Sequence, residues 1–391
     1  MRTKALDRCV VCRGTPLEPL ISIPDVPALT NHLCASEGEA ANAPRGDISL
    51  AYCPACGHIV NASFDQALVN YDGCFENTLS FSPHYRRYAE ATAARIVDHF
   101  GLRGRRVVEI GCGSGDFLRL LCRAGNHGIG YDPSRTTSRS AAGRGSIEII
   151  GRNFEVEDAR GADLICCRHV LEHLLEPMEL LRGLYQEIAI SKDAITFFEV
   201  PNGLFTLDRL GIWDIIHEHV SYFTPSSLAR AFHDAGFTVC HADSAFDDQY
   251  LRLEACTDSN SSSGGDLPIR PPDTVYSSFG ARFADKIEQW RRRISELRSD
   301  GRRVVIWGAG AKGVMFINLL QITAGAGIDW VVDINPRKQG HFVPLMGQRI
   351  VSPKCLLQSP PDLVIVMNPE YEYEVQFMID EIGIRCEVVA A

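Results

Sequence analysis

The stretch Val107-Val108-Glu109-Ile110-Gly111-Cys112-Gly113-Ser114-Gly115-Asp116 decides the fold. An apolar strand runs into a turn with glycine at alternate positions, so backbone can pass against a ligand where a Cβ would collide. Phosphate-cradling loops use that closeness to aim N–H groups, usually with a lysine, at anions. Here the strand ends on Glu109 and the turn closes with Asp116, which repel a pyrophosphate. A cationic ligand such as S-adenosylmethionine fits, with its amino-acid end over Gly111, Gly113 and Gly115. The next strand, His127-Gly128-Ile129-Gly130-Tyr131-Asp132, ends in an acid placed for ribose hydroxyls. Asn153 and Phe154, just past the third strand, are placed to meet adenine. The backbone at Arg168-His169 is placed to accept from the donor's amino group.

Outward from this stretch, strands at 105–110, 127–132, 146–151, 163–168 and 194–200 alternate with helices. The alternation predicts an α/β fold with a doubly wound parallel sheet, its ligands beyond the strands' carboxyl ends. A helix at 84–100 leads in, and the segment 202–223 is irregular and rich in His, Tyr and Trp. Helix 225–236 and strands near 238–243 and 250–256 complete the sheet, the last two antiparallel. Residues 257–273 form a polar Gly/Ser/Pro linker, followed by a long amphipathic helix, 274–299. A second unit then appears: strand Arg303–Trp307, turn Gly308-Ala309-Gly310-Ala311-Lys312-Gly313, a helix, and strand Trp330-Val331-Val332-Asp333. That context is what a dinucleotide turn requires. The expected domains are therefore 1–70, zinc-binding; 71–257, methyltransferase; 258–300, linker and connecting helix; and 301–391, Rossmann-like.

At 391 residues the chain exceeds a single compact core. A net charge of −10 argues against nucleic-acid binding. No apolar run is long enough to span a bilayer and Met1–Asp7 has no signal core, so a cytoplasmic protein without a membrane partner is expected. Fourteen cysteines should then stay reduced. Cys9-Val10-Val11-Cys12 and Cys53-Pro54-Ala55-Cys56 are two knuckles that together complete a tetrahedral sulfur site for structural zinc. Four thiolates leave no open position for catalysis.

With these pieces placed, the chain resembles, over its whole length, the sugar C-methyltransferases that act on nucleotide-linked 4-keto-6-deoxyhexoses. The resemblance rests on the four cysteines, Cys167-Arg168-His169-Val170-Leu171-Glu172-His173, Phe198-Glu199-Val200-Pro201-Asn202, and Asp333-Ile334-Asn335-Pro336-Arg337-Lys338. Its most specific element is His217-Glu218-His219-Val220-Ser221-Tyr222-Phe223. It implies that His219 is the base removing the C3 proton, with Glu218 its neighbour and His173 on the facing strand end. Many members carry a tyrosine where this chain has Ile216, and Phe75 in the segment Tyr71–Pro83 stands where a tyrosine is common.

Carbon becomes a nucleophile only as a carbanion equivalent, and a ketone supplies one as its enolate. The site then needs a base near neutrality, which imidazole provides. Glu218 would orient His219 or raise its basicity. His217, His173 and Tyr222 are candidates to hold the enolate oxygen. A structural role for the histidines and a His-Glu-His metal site are the alternatives, the latter disfavoured because i and i+2 diverge on a helix. Glu199 stays open between site carboxylate and buried structural acid. Arg86, Arg87, Lys312, Arg337 and Lys338 are the cations available to a dTDP or GDP diphosphate. For the C-terminal unit two readings stand: NAD(P)H at Gly308, Gly310, Gly313 and Asp333 reducing C4 after methylation, or a domain that closes over the sugar nucleotide, the second favoured. An oxygen- or nitrogen-directed methyltransferase and a non-enzymatic scaffold are the remaining alternatives. A monomer or small homo-oligomer is expected.

Overall fold

The computed structural model describes residues 6–71, 74–191, 194–257, 270–325, 328 and 330–391. Most of the polar linker, the glycine of the Tyr71–Pro83 segment and the first five residues lie outside them. In chain order the strands are β1 (Glu18–Pro27), β2 (Arg45–Tyr52), β3 (Ile59–Asn61), β4 (Arg106–Ile110), β5 (His127–Tyr131) and β6 (Ser138–Ala142). There follow β7 (Gly145–Ile150), β8 (Leu164–Arg168), β9 (Ile195–Pro201), β10 (Ser221–Tyr222), β11 (Thr238–Ala245) and β12 (Tyr250–Cys256). The last are β13 (Val304–Trp307), β14 (Trp330–Val332), β15 (Arg349–Val351), β16 (Leu363–Val366) and β17 (Glu387–Ala390).

They form three sheets. The central one has eight strands in the order β11-β12-β9-β8-β4-β5-β7-β6. β4, β5, β7, β8 and β9 run parallel, and β12 enters antiparallel between β9 and β11. This is the class I methyltransferase topology. Its inner strands are buried on both faces, which is why Val107-Val108 and Leu164-Ile165-Cys166-Cys167 read as unbroken apolar runs. The edge strand β6 escapes sequence reading because Ser138-Arg139-Ser140-Ala141-Ala142 is mostly exposed and has no apolar alternation. A two-residue hairpin returns it to β7, with Gly143 at φ +64 where a Cβ would lie 2.7 Å from Arg123 O.

The C-terminal sheet is parallel, β15-β14-β13-β16-β17. The N-terminal sheet is antiparallel, β1-β2-β3-β10. Its fourth strand, Ser221–Tyr222, comes from the segment read as irregular, so the small N-terminal unit is completed by residues 160 positions downstream of β3. Helix ends follow their caps. Ser82 caps Pro83–His99, and Thr224 with Ser227 closes a capping box on Pro225–Ala235, which stops at Gly236 with φ +107.

The three sheets share cores. One cluster joins Ile23, Ile48 and Leu50 of the N-terminal sheet to Trp213, to Phe279 and Trp290 of the helix Asp273–Ser299, and to Ile306 and Phe316 of the C-terminal unit. A second joins Cys9, Val10, Cys53 and Cys56 to Phe198, Val200, Phe223 and Phe232. Among the described residues no helix is long and apolar enough to cross a membrane.

Candidate active site

The turn after β4 is built as its glycines require. Gly111, Gly113 and Gly115 have φ of +68, +53 and +76. A Cβ on Gly111 would lie 2.2 Å from Val170, and one on Gly115 would lie 3.0 Å from Ile149. Asp132 pins the turn by accepting from Gly113 N (2.9 Å), while its other oxygen accepts from Ser134 N and Oγ. Phe154 packs edge-on against Tyr131 at 5.6 Å, and Asn153 is exposed beside it. Glu109 differs from the expected anion. It is buried at the strand end, and burial pushes its carboxyl up to about 8, against the pull of Arg168. Near neutral pH it is largely protonated.

Beside the turn lies a buried charge cluster. Arg168 donates from Nε (3.0 Å) and Nη2 (2.6 Å) to one oxygen of Glu199, and its guanidinium lies 4.0 Å over Phe117. His169 Nε2 is 3.1 Å from the same oxygen, and Tyr88 Oη donates to the other. Burial opposes the Glu199 charge, yet Arg168 and His169 hold the carboxyl down at about 2. Burial likewise opposes charge on His169, but Glu172 and Glu199 outweigh it and raise the imidazole to about 9. Glu199, left open by the sequence, is thus the counter-charge of Arg168 and His169. The backbone at His169 takes up a left-handed conformation (φ +55), its N–H donating to Glu199 O at 2.8 Å. Replacing Glu199 by Ala leaves Arg168 buried and uncompensated. A loss of about 3–5 kcal/mol is expected, read as a lower midpoint in urea unfolding.

The segment that leaves β8 touches both halves of the site. Val170 seats on Gly111, and the 3₁₀ turn Leu171–His173 is tied to the loop 217–220. Val220 N donates to Glu172 O (2.9 Å), and His173 Nδ1 lies 2.9 Å from Glu218 O. A carbonyl only accepts, so Nδ1 carries a proton in this contact. Tyr71 Oη lies 3.0 Å from that same Nδ1, and burial keeps the Tyr71 hydroxyl protonated. The His173 and His219 rings meet edge-on at 4.8 Å. His219 is 8% exposed, and burial, with the neighbouring charges of His173 and His169, holds its pKa well below the usual imidazole value.

Three candidates are placed differently from expectation. The Glu218 carboxyl does not bond His219; it accepts from Thr30 N (3.0 Å) and Oγ1 (2.6 Å), and burial raises its pKa. His217 turns into the N-terminal sheet, stacked on Phe64 at 5.6 Å and against Gly46, where a Cβ would lie 2.3 Å from its ring. Tyr222 spends its hydroxyl on Ile216, accepting from N and donating to O at 3.0 Å each. His217 and Glu218 lie in a turn, across which His219 N donates to Ile216 O (3.3 Å), and the three side chains leave it toward different partners.

In the C-terminal unit, Gly313 permits helix and turn to touch, since a Cβ there would lie 1.9 Å from Gly308 O. Gly308 has φ +112, and Gly310 precedes the helix Ala311–Leu320. Asp333 is occupied internally, accepting from Ala309 N and Asn335 N at 2.8 Å each. Lys338 is buried on Ala309 O (2.9 Å) and Asn31 Oδ1 (3.0 Å). Lys312 bonds Asp214 (2.6 Å) and Gln249 (2.8 Å), and Arg337 bonds Glu76 (3.1 Å). Arg86 and Arg87 are exposed.

The four cysteine sulfurs converge within 4.8 Å of one another, with Cys9–Cys56 at 3.6 Å and Cys12–Cys53 at 3.5 Å. A zinc ion with its usual bond to four thiolates sets them about 3.8 Å apart, so the donor set fits a structural ion. His58, buried behind the second knuckle, reaches Ser221 (3.1 Å) and Ser227 (3.4 Å).

A methyltransferase domain model matches residues 85–242, and a model of the C-methyltransferase C-terminal domain matches residues 269–383. The chain has the two domains of a C-methyltransferase. It is 26% identical over 403 aligned residues to the C-methyltransferase NovU of Streptomyces niveus, covering 95% of this chain and 92% of that one. A ubiquinone biosynthesis O-methyltransferase of Aromatoleum aromaticum is 27% identical over 158 residues, 35% of this chain and 65% of its own. Among solved structures, magnesium protoporphyrin IX methyltransferase from Synechocystis PCC 6803 with bound SAH aligns over 45% of this chain and 84% of its own, at 17% identity and TM-score 0.34.

Two residues of this C-methyltransferase site were missed by sequence reasoning. Tyr71 lay in a quoted segment, but nothing local shows that its hydroxyl reaches a histidine 102 positions away. Glu172 sat unremarked inside the Leu171-Glu172-His173 motif, its position beside two histidines being the only signal.

Proposed function

We propose that this C-methyltransferase adds a methyl group from S-adenosylmethionine to C3 of a nucleotide-linked 4-keto-6-deoxyhexose, in deoxysugar biosynthesis. The observation that carries the reading is the His173–His219 pair, held by the loop 217–220 on the segment that also packs against the donor turn. Bound S-adenosylmethionine supplies a sulfonium methyl to a carbon nucleophile. The chain's part is to bind it: Gly111, Gly113 and Gly115 under the methionine, Asp132 at the ribose and Phe154 at adenine, with Glu109 and the His169–Glu199 pair beneath. Four thiolates at the N-terminus hold a structural zinc.

His219 serves as the base, taking the C3 proton while the C–H electron pair moves onto the ketone oxygen. Its low pKa keeps it unprotonated at neutral pH, the state a base requires. Tyr71 donates to the enolate oxygen, because its hydroxyl stays protonated while Tyr222 and His217 are engaged or turned away. The enolate carbon then takes the methyl group. The sign for pH follows directly: a base with a lowered pKa stays active to lower pH, so the acid limb of kcat/KM should lie below about 6.5, measured from pH 4.5 to 9.

The C-terminal unit closes over the sugar nucleotide, with Lys338, Arg337 and Lys312 near its phosphates. The deciding experiment is mass spectrometry of dTDP- and GDP-4-keto-6-deoxyhexoses incubated with the protein, S-adenosylmethionine and NADPH. Gain of one methyl supports the proposal, two further hydrogens would restore the reductase reading, and no gain moves the acceptor to another substrate class.

A further inference from the structure

Glu172 carries a buried carboxylate with no hydrogen-bond partner on either oxygen. Its backbone is clamped, because Val220 N donates to its carbonyl and the adjacent His173 Nδ1 donates to Glu218 O. Desolvating a carboxylate without a partner is costly, so the group must gain one in the working site. His169 Nδ1 stands 3.6 Å away, an ion-pair distance beyond a hydrogen bond. An oxygen of Glu172 and one ring nitrogen each of His173 and His219 all lie within 4.8 Å of one another. Tyr71, Cys167 and Glu218 are the other titratable groups nearby.

The proton inventory pairs Glu172 with His219. His173 Nδ1 is spent on the Glu218 carbonyl, and the Glu218 carboxyl is spent on Thr30. His219 Nδ1 is buried and has no partner, while its Nε2 is not so confined. An unpartnered His219 Nδ1 and an unpartnered Glu172 carboxyl group thus belong to one cluster, with a ring nitrogen of His219 within 4.8 Å of a Glu172 oxygen. His219 also borders His169, so a second cation formed there needs a neighbouring anion.

We propose that Glu172, rather than the adjacent Glu218, is the positioning carboxylate of His219: it accepts Nδ1–H and thereby leaves Nε2 bare toward the substrate carbon. The proposal rests on the enolate reading above. In the step, the C3–H bond breaks, the proton passes to His219 Nε2, and the electron pair moves to the ketone oxygen. The Glu172 carboxylate balances the imidazolium, as a carboxylate does for a catalytic histidine.

The test uses the full chain with ¹⁵N-labelled histidine, comparing wild type, Glu172→Gln, Glu172→Asp and Glu218→Gln. In wild type the His219 ring should be the Nδ1–H tautomer. Glu172→Gln should lose that tautomer preference and lower kcat about 100-fold or more, with KM little changed. Glu172→Asp should restore part of both, and Glu218→Gln should keep the tautomer. An unchanged tautomer in Glu172→Gln overturns the proposal, as does a second metal ion per chain that leaves with Glu172→Gln, since coordination would then explain the orphan atoms. Tautomer loss in Glu172→Gln together with full turnover by His219→Ala would instead overturn the enolate reading and keep the Glu172–His219 contact.

Discussion

Replacing His219 by Ala should abolish turnover, lowering kcat by about 10²–10⁴, while S-adenosylmethionine affinity stays within about threefold. The asymmetry follows from placement. His219 lies on the loop 217–220, paired edge-on with His173, whereas the donor turn stands on β4 and is held by Asp132 and Val170. The two halves are joined through the segment 168–173, so removing one imidazole leaves the turn intact. The substrate-side readout is deuterium exchange at C3 in heavy water without methyl donor, which wild type should catalyse and the variant should not. Retained exchange in the variant would transfer the base role to His173, the other imidazole of the pair.

Replacing Cys53 by Ser should cost the metal and the fold together. Zinc binding to such sites is worth about 10–16 kcal/mol apparent in small domains, comparable to the whole stability of a domain. The knuckles are not a detachable appendage. Cys9, Val10, Cys53 and Cys56 pack in one cluster with Phe198, Phe223 and Phe232 of the central sheet, and His58 links the second knuckle to Ser221 and Ser227. Ser221 is two residues from His219, so loss of the metal should also disorder the loop that carries His219. Metal content by mass spectrometry and a thermal melt on one sample check this. A metal-free variant with an unchanged melting temperature would mean the thiols pack without an ion.

Much of the fold was legible because its signals are local. The strand ends at Ile110, Tyr131 and Arg168 fall within a residue of those read from the sequence, since strands buried on both faces are mostly apolar. The helix Pro225–Ala235 was legible from Thr224-Pro225 and Gly236. The strand β6 was not, because an exposed edge strand carries no such pattern, nor was β10, whose two residues pair only with a strand far upstream.

In the site the same division holds. The alternate glycines, the acid at Asp132 and the two Cys-x-x-Cys pairs are short-range patterns whose chemistry depends on spacing along the chain, and the sequence by itself determined them. Which of His217, Glu218 and His219 meets the segment from β8 does not follow from spacing along the chain, and only the tertiary structure decided it. It turned His217 toward Phe64, gave Glu218 to Thr30, and left His219 between His173 and Glu172. It also decided the charge states, making Glu109 a neutral acid and Glu199 a firm anion. The physical reason is that a carboxyl's proton answers to burial and to the cations within a few ångströms, and neither is written at its own position in the chain.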